Sequence, residues 1–224
     1  MIRSFGRIKS RKLSQRKNKI LEELCPKYKI TQDKFLEYIK INKFNKINLE
    51  IGFGHGNFLF KQSKQNPSEL FIGCEPYING YINILGKLES NPLQNILLFN
   101  EDFRMLAPNL GEDLTNIFNK IFILFPDPWP KSKHFKRRLI DKKFLDNIIY
   151  PIIKNNGELI IATDHDNYKT WILSNILKSD KFEWNAHSKN DWKKFPNYWH
   201  KTKYQQKASE EGRDSIIFKL TPKK

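Results

Sequence analysis

The sequence predicts an α/β fold with a mostly parallel sheet covered by helices on both faces. From residue 47 onward, short apolar runs alternate with helical stretches in a β-α-β-α order, which is typical of such a sheet. The chain has 224 residues, which is enough for one domain with a substantial core. One α/β domain is therefore the expected architecture.

Seven strands are expected, and two of them follow the alternating region. The alternating strands cover residues 47–51, 70–74, 95–99, 121–125 and 158–162, and the last two strands cover 182–186 and 214–220. Helices are expected at 31–41, 58–65, 78–88, 135–153 and 167–177. The aromatic and basic stretch between the last two strands has no regular period, so we expect it to be irregular.

The charge balance indicates a polyanionic partner. Lys and Arg number 40 against 24 Asp and Glu, which gives a formal net charge of +16. The alternative is a composition in which Lys and Asn are simply frequent. Residues 3–19 interleave basic side chains with Ser, Gln and Asn and offer little apolar surface to bury. We expect a flexible basic arm over residues 1–30, followed by the folded domain over residues 31–224.

The cysteines and the apolar runs exclude several classes of protein. Cys25 and Cys74 form neither a CxxC pair nor a disulfide framework, so no structural zinc site is expected. No apolar run approaches the length of a membrane span, and no apolar segment follows the basic N-terminus. These features predict a cytoplasmic protein that binds neither a membrane nor a metal.

Acidic residues follow the strands of the predicted sheet. In a doubly wound sheet the ligand lies at the carboxyl ends of the strands. The acids there are Glu50 within the glycine-containing segment LEIGFGHG, then Glu75, Glu101, Asp102, Asp127 and Asp164. Any one of them could be a loop or capping residue, but their recurrence suits a cationic ligand that carries a ribose and an adenine. S-adenosylmethionine is such a ligand.

A dinucleotide is the alternative ligand for the glycine-rich turn after the first strand. In that interpretation Glu75 would bind the ribose hydroxyls. However, Asn57 stands where the third glycine of GxGxxG would fall, and so many carboxylates would repel a pyrophosphate. The glycine turn and the acids therefore favour S-adenosylmethionine.

The most distinctive stretch is the turn PDPWP at residues 126–130, which follows the fourth strand. Prolines on both sides of Asp127 restrict the backbone, so the carboxylate and the Trp129 indole should keep one orientation. The indole could stack on a flipped base or fill the core beneath the turn. The basic residues that follow are predicted to bind a nucleic-acid backbone, the alternative being a solvated face; they are Lys131, Lys133, Lys136, Arg137 and Arg138.

Several segments together resemble the bacterial tRNA (guanine-N7-)-methyltransferases. They are LEIGFG at 49–54, GCE at 73–75, PDPWPK at 126–131 with KRRL at 136–139, ATD at 162–164 and TKY at 202–204. The resemblance implies a Rossmann-like class I methyltransferase fold with a seven-stranded sheet. It also implies transfer of a methyl group from S-adenosylmethionine to N7 of a guanine in the variable loop of tRNA.

The resemblance further implies roles for individual residues. The cofactor would be bound by Glu50, Gly52, Gly54, Glu75, Asp102 and Asp127, with Asp127 also the catalytic residue. The substrate would be bound by Lys131, Asp164, Thr202, Lys203, Tyr204 and Gln205. The chain departs from the family at residues 76–80 and at Gln205, where Glu is frequent. A monomer is expected, with a homodimer as the alternative.

The chemistry of guanine sets what Asp127 should do. N7 of a neutral guanine carries a free lone pair, so its methylation needs positioning and charge stabilisation and no general base. One alternative is methylation of an exocyclic amino group, because PDPW is similar to the acidic-proline-aromatic turn of amino methylases. Another is a non-catalytic RNA-binding protein with the same fold.

Overall fold

The computed structural model describes residues 5–6, 12–41, 44–106 and 115–223. Its strands are β1 Lys46–Ile51, β2 Glu69–Cys74, β3 Ile96–Phe99, β4 Phe118–Leu124, β5 Ile153–Thr163, β6 Phe182–Trp184 and β7 Ile216–Pro222. They form one seven-stranded sheet in the order β3-β2-β1-β4-β5-β7-β6. The pairs β1–β2, β2–β3 and β4–β5 are parallel, whereas β7 runs antiparallel to β5 and β6. The predicted α/β fold with a mostly parallel sheet is confirmed.

Helices precede, connect and follow these strands. They are α1 Gln15–Tyr28, α2 Gln32–Ile41, α3 Asn57–Gln65, α4 Ile78–Ser90, α5 Phe103–Leu106, α6 Lys142–Phe144, α7 Tyr150–Ile152, α8 Asp166–Lys178, α9 Lys189–Lys193 and α10 Lys203–Glu210. The chain divides into two compact units, Met1–Asp113 and Leu114–Lys224. Within the described residues, no helix is both long and apolar enough to cross a membrane.

The first unit contains a helix inside the segment that the sequence predicts as a flexible arm. Helix α1 begins after Ser14, whose side chain accepts a hydrogen bond from the Lys17 backbone N–H. Ile20, Leu24 and Tyr28 recur at the helical spacing and are buried in one core with side chains of α4. This apolar stripe is narrow and lies among basic residues, which is why composition alone missed it. Residues 1–4 and 7–11 of the predicted arm lie outside the described residues.

The second unit corrects the long helix predicted over residues 135–153. Residues Ser132–Arg137 form a 3-10 helix, and a new helical segment starts after Asp141. The Asp141 side chain accepts a hydrogen bond from the Phe144 backbone N–H at 2.8 Å, which caps the new start. A π-helical turn, Leu145–Ile149, separates α6 from α7, and β5 begins directly afterwards. Sequence periodicity did not reveal this cap.

The stretch between β6 and β7 is more regular than predicted. It contains α9, which starts with a capping box formed by Ser188 and Asp191, and α10, which starts at Thr202. The Thr202 Oγ1 accepts a hydrogen bond from the Gln205 backbone N–H at 3.1 Å. These helices place residues 202–205 at a helix start and not in an irregular loop.

Candidate active site

Two buried acids stand at the carboxyl ends of neighbouring parallel strands in the first unit. Glu50 lies in β1, and Glu75 follows β2; their exposed fractions are 3% and 8%. Burial raises the pKa of Glu50 to about 8, and the charge of Glu75 adds to the shift. Within the described part of the chain, Glu50 Oε2 is buried and has no hydrogen-bond partner. A buried carboxyl with an unsatisfied oxygen is suited to a cationic ligand.

Glu75 organises the glycine-containing turn that follows β1. Its two carboxylate oxygens accept hydrogen bonds from the backbone N–H groups of Gly54, at 2.7 Å, and Tyr77, at 2.8 Å. Gly52 has a φ of +75°, and a Cβ added there would meet open space, so the backbone is accessible to a ligand. Gly80 of α4 is different, because an added Cβ would lie 2.4 Å from the Gly54 carbonyl oxygen. Helix α4 therefore packs directly on the turn.

A chain of hydrogen bonds links α1 to this turn through the segment that departs from the family pattern. Lys17 Nζ donates to Asn79 Oδ1 at 2.7 Å, and Asn79 Nδ2 donates to the Tyr77 hydroxyl at 3.0 Å. The Tyr77 backbone in turn contacts Glu75, as above. Sequence reasoning missed Lys17 and Asn79, because only the packing of α1 on α4 brings them together.

Asp102 is the third predicted cofactor acid of the first unit, and it is held by an arginine. Arg104 donates to Asp102 Oδ1 from its backbone N–H at 3.0 Å and from Nε at 3.1 Å, and to Oδ2 from its second guanidinium nitrogen at 2.8 Å. These contacts orient the carboxylate, and any ligand that it binds must share it with Arg104.

In the second unit, Asp127 lies on a constrained turn that follows β4. Phe125 and Trp129 stand two residues before and after it and have φ values of 53° and 42°, which are uncommon for residues other than glycine. The Phe125 backbone N–H donates to the Ala162 carbonyl at 2.8 Å and ties the turn to β5. Asp127 itself is exposed, and the surrounding protein partly removes its carboxyl from water, which raises its pKa above the ordinary value.

The Trp129 indole packs on the basic 3-10 helix. The His134 ring meets it in a T-shaped arrangement with centroids 5.7 Å apart, and the Arg137 guanidinium carbon lies 5.0 Å from the indole centroid. The side chain is half-buried. Burial and the cations around it lower the pKa of His134. The indole therefore has part of its surface available and part in contact with His134 and the Arg137 cation.

Arg138 corrects one prediction, because it does not face a nucleic-acid backbone. Its exposed fraction is 4%. Its Nε donates to the Pro128 carbonyl at 2.9 Å, and its second guanidinium nitrogen donates to Asn167 Oδ1 at 2.6 Å. Its guanidinium carbon lies 3.8 Å from the Phe135 ring centroid. Lys131, Lys133 and Lys136 of the same segment are exposed, as a phosphate-binding role requires.

The predicted substrate residues of the second unit fall into two groups. Asp164 is half-buried and accepts a hydrogen bond from Arg213 Nε at 2.8 Å. Thr202 and Gln205 are buried, and Gln205 Oε1 accepts from Trp199 Nε1 at 2.7 Å, so both side chains hold the start of α10. Lys203 and Tyr204 are exposed between them. The sequence did not reveal Arg213 as the partner of Asp164, because the two are distant in the chain, and it did not predict the contact between Trp199 and Gln205.

No group of three or more His, Cys, Asp and Glu side chains that could hold a metal ion occurs among the described residues. Among the predicted cofactor acids, Glu75 accepts hydrogen bonds from the backbone N–H groups of Gly54 and Tyr77, and Asp102 accepts hydrogen bonds from Arg104.

Solved structures share this fold at low sequence identity. A 16S rRNA methyltransferase, KamB, aligns with a TM-score of 0.58 and 14% identity, over 85% of this chain and 94% of that one. A 16S rRNA adenine methyltransferase from Catenulisporales acidiphilia, solved with its cosubstrate S-adenosylmethionine, aligns with a TM-score of 0.54 and 10% identity, over 87% and 92% of the two chains. At these identities the likeness shows the fold alone.

Sequence comparison is more specific. A family described as "Putative methyltransferase" matches residues 44–218. The tRNA (guanine-N(7)-)-methyltransferase of Wolbachia pipientis is 37% identical over 90% of this chain and 86% of that protein. The enzyme of the same name from Agrobacterium fabrum is 35% identical over 94% of this chain and 91% of that protein. The family match spans the strand-end acids from Glu50 to Asp164, and with relatives of this identity and coverage the chain belongs to the tRNA (guanine-N(7)-)-methyltransferase family.

Proposed function

We propose that this protein transfers a methyl group from S-adenosylmethionine to N7 of a guanine in tRNA, and that the guanine lies in the variable loop. The likeness of nine-tenths of the chain to enzymes of that name carries the proposal. A tRNA substrate also agrees with the excess of positive charge and with the predicted cytoplasmic location. A monomeric state stays a prediction.

The first unit fits S-adenosylmethionine on its own chemistry. Glu50 offers a buried, unsatisfied carboxylate oxygen, and the backbone at Gly52 leaves room for close approach. We assign cofactor binding to Glu50, Gly52, Gly54, Glu75 and Asp102. When bound, S-adenosylmethionine supplies an electrophilic methyl group. Glu75 keeps the glycine turn in one conformation, and Glu50 supplies negative charge. That Asp127 also contacts the cofactor stays a prediction.

Asp127 is the proposed catalytic residue of the second unit. The guanine is neutral before the transfer and cationic after it, so a nearby carboxylate stabilises the transition state more than the bound substrate. The restricted turn holds that carboxylate without further ordering during the reaction. Because partial burial raises the pKa of Asp127, turnover should fall on acidification through a pKa above the ordinary range for aspartate.

The remaining proposed substrate contacts divide the work of binding. Lys131 meets the tRNA backbone beside Asp127, and Lys203 and Tyr204 present their side chains at the start of α10. Asp164 binds the guanine edge while Arg213 orients it. Thr202 and Gln205 support this surface from inside, through the helix cap and the hydrogen bond with Trp199.

The substitution Asp127→Asn tests the catalytic role. We expect kcat for methylation of unmodified tRNA to fall by about 100-fold, because the variant keeps the shape and loses the charge. The Kd for S-adenosylmethionine, measured by calorimetry, should rise by a smaller factor than kcat falls, because asparagine keeps a hydrogen-bonding side chain at the predicted cofactor contact. Asp180→Asn, an exposed acid after α8, serves as the matched control and should keep full turnover.

The product identifies the reaction. Mass spectrometry of the nucleosides should find the methyl group on N7 of guanine in the variable loop. A methyl group on an exocyclic amino group would replace the proposal with the amino-methylating alternative. A wild-type protein that binds tRNA but not S-adenosylmethionine would support a non-catalytic RNA-binding role.

A further inference from the structure

Arg138 is a buried cation next to the turn that carries Asp127. Taking a guanidinium out of water is unfavourable unless hydrogen bonds and packing compensate. Here the Phe135 ring covers it at 3.8 Å, and two of its nitrogens donate to Pro128 and Asn167. Within the described residues, the third nitrogen, Nη1, is buried and has no hydrogen-bond partner. An apolar side chain would fill the same space without that unsatisfied donor, so stability alone does not account for an arginine here.

The hydrogen bond from Arg138 acts on the backbone carbonyl of Pro128, the residue directly after Asp127. Proline has no N–H, so its carbonyl is the one backbone group through which the protein can hold this residue by a conventional hydrogen bond. The turn needs such support, because Phe125 and Trp129 both adopt left-handed backbone conformations that persist only where their surroundings fix them. The Phe125 N–H fixes the turn before Asp127, and Arg138 fixes it afterwards.

The second arm of the guanidinium reaches the first turn of α8. Asn167 Oδ1 accepts from Arg138 at 2.6 Å, and the planar guanidinium sets the angle between this contact and the one to Pro128. The helix is in turn anchored by Tyr168, which is fully buried. Arg138 therefore ties the Pro128 carbonyl to a helix that is anchored in the core, and not to a loop.

We propose that Arg138 is a positioning residue for Asp127, holding the Pro128 carbonyl against the start of α8 so that the carboxylate keeps one location. This inference rests on the proposed function of Asp127. It predicts that Arg138 affects kcat. The exposed lysines of the same segment are instead proposed to bind the nucleic-acid backbone. A looser turn would leave the cofactor residues of the first unit intact and would act on kcat.

Two substitutions break the clamp to different extents. Arg138→Lys keeps a buried cation but loses the planar fork, and we expect kcat to fall about tenfold. Asn167→Ala removes one acceptor at an exposed position, so it should fold normally, and we expect a fall of about threefold. Asn167→Asp keeps an acceptor for Arg138 and should retain turnover close to that of the wild type.

A purely structural role predicts a different pattern from a positioning role. If Arg138 only stabilises the fold, Asn167→Ala should leave kcat unchanged, and Arg138→Lys should lose activity only as far as its thermal midpoint drops. If Arg138 binds tRNA, the KM for tRNA should rise while kcat is kept. Either result would overturn the proposal. Lys143→Met, at an exposed position on α6, is the control and should match the wild type throughout.

Combination with Asp127→Asn separates this inference from the proposed function. If Arg138 acts through the Asp127 carboxylate, Arg138→Lys in the Asp127→Asn background should change kcat by less than about twofold. If the double variant shows the product of the two single reductions in kcat, Arg138 acts independently of Asp127. That result would refute the positioning role of Arg138 and leave the catalytic role of Asp127 standing. An Asp127→Asn variant with full turnover would refute the catalytic role of Asp127, and with it this inference.

Discussion

Glu50 and Asp127 are carboxyl groups with raised pKa values in different settings. Glu50 is buried beside another acid, and its pKa of about 8 keeps it mostly protonated at neutral pH in the free protein. Asp127 is exposed, so water limits the effect of its surroundings. A cationic ligand at Glu50 would favour the ionised form and expel the proton. Binding and deprotonation are therefore linked at the first acid.

This linkage predicts that affinity for S-adenosylmethionine rises with pH. Between about pH 6 and 8, Kd should fall by up to about tenfold per pH unit, because the free protein must release the Glu50 proton to bind. Calorimetry across this range measures the slope. Glu50→Gln should bind more weakly and lose the slope, and any slope that it keeps belongs to the ligand. A wild-type Kd that does not vary with pH would contradict the linkage.

At the residue scale, the sequence predicts where acids stand but not what holds them. Glu50 and Glu75 could be predicted because they stand at the carboxyl ends of apolar strands with a recognisable pattern. The sequence did not predict the ion pairs of Arg104 with Asp102 and of Arg213 with Asp164. It also did not predict that Arg138 is buried. Each depends on how segments pack, and a basic residue has the same letter whether it is buried or exposed.

At the element scale, helix starts decide the local structure around the predicted substrate residues. Thr202 caps α10 through its hydroxyl and is itself buried. The sequence reading of this stretch as irregular failed because short helices lack a clear apolar period. Helix α1 was not predicted for the same reason, because its three buried positions lie among basic residues and give only a weak apolar period.

The cap predicts a graded loss of stability. Thr202→Ala should lower the free energy of unfolding by about 1 kcal/mol, because the Gln205 backbone N–H at the start of α10 loses its acceptor. Thr202→Ser keeps the hydroxyl and should lose much less. Urea denaturation followed by circular dichroism measures both variants. Equal stability of the alanine variant and the wild type would show that water replaces the cap.

At the scale of the whole molecule, the parallel part of the sheet was predictable and the antiparallel part was not. Alternation of strands and helices implies parallel neighbours, which β1–β2, β2–β3 and β4–β5 confirm. The order of elements along the chain does not predict that β7 lies between β5 and β6 in the sheet. It follows from pairing between segments that are far apart in the chain.

The net charge predicts that the affinity for tRNA falls as salt is raised. We also expect the size of this effect to depend on which lysines contact the tRNA. Replacing Lys131, Lys133 and Lys136 with Met should flatten the plot of log K against log salt by about 2, since each phosphate contact contributes a slope of roughly 0.7–0.9. The control variant replaces Lys64, Lys143 and Lys178, which are also exposed, and so removes as many charges. Filter binding at several salt concentrations compares them. Equal slopes in the two variants would mean that only total charge matters.

The contact of Gly80 with the Gly54 carbonyl has a consequence in genetics. A side chain at position 80 must displace the turn that Glu75 holds, so even alanine changes the geometry of that turn. Such an allele would leave the strands intact and disturb a single loop. Second-site suppressors of such an allele should therefore cluster in the loop and in α4 rather than across the gene.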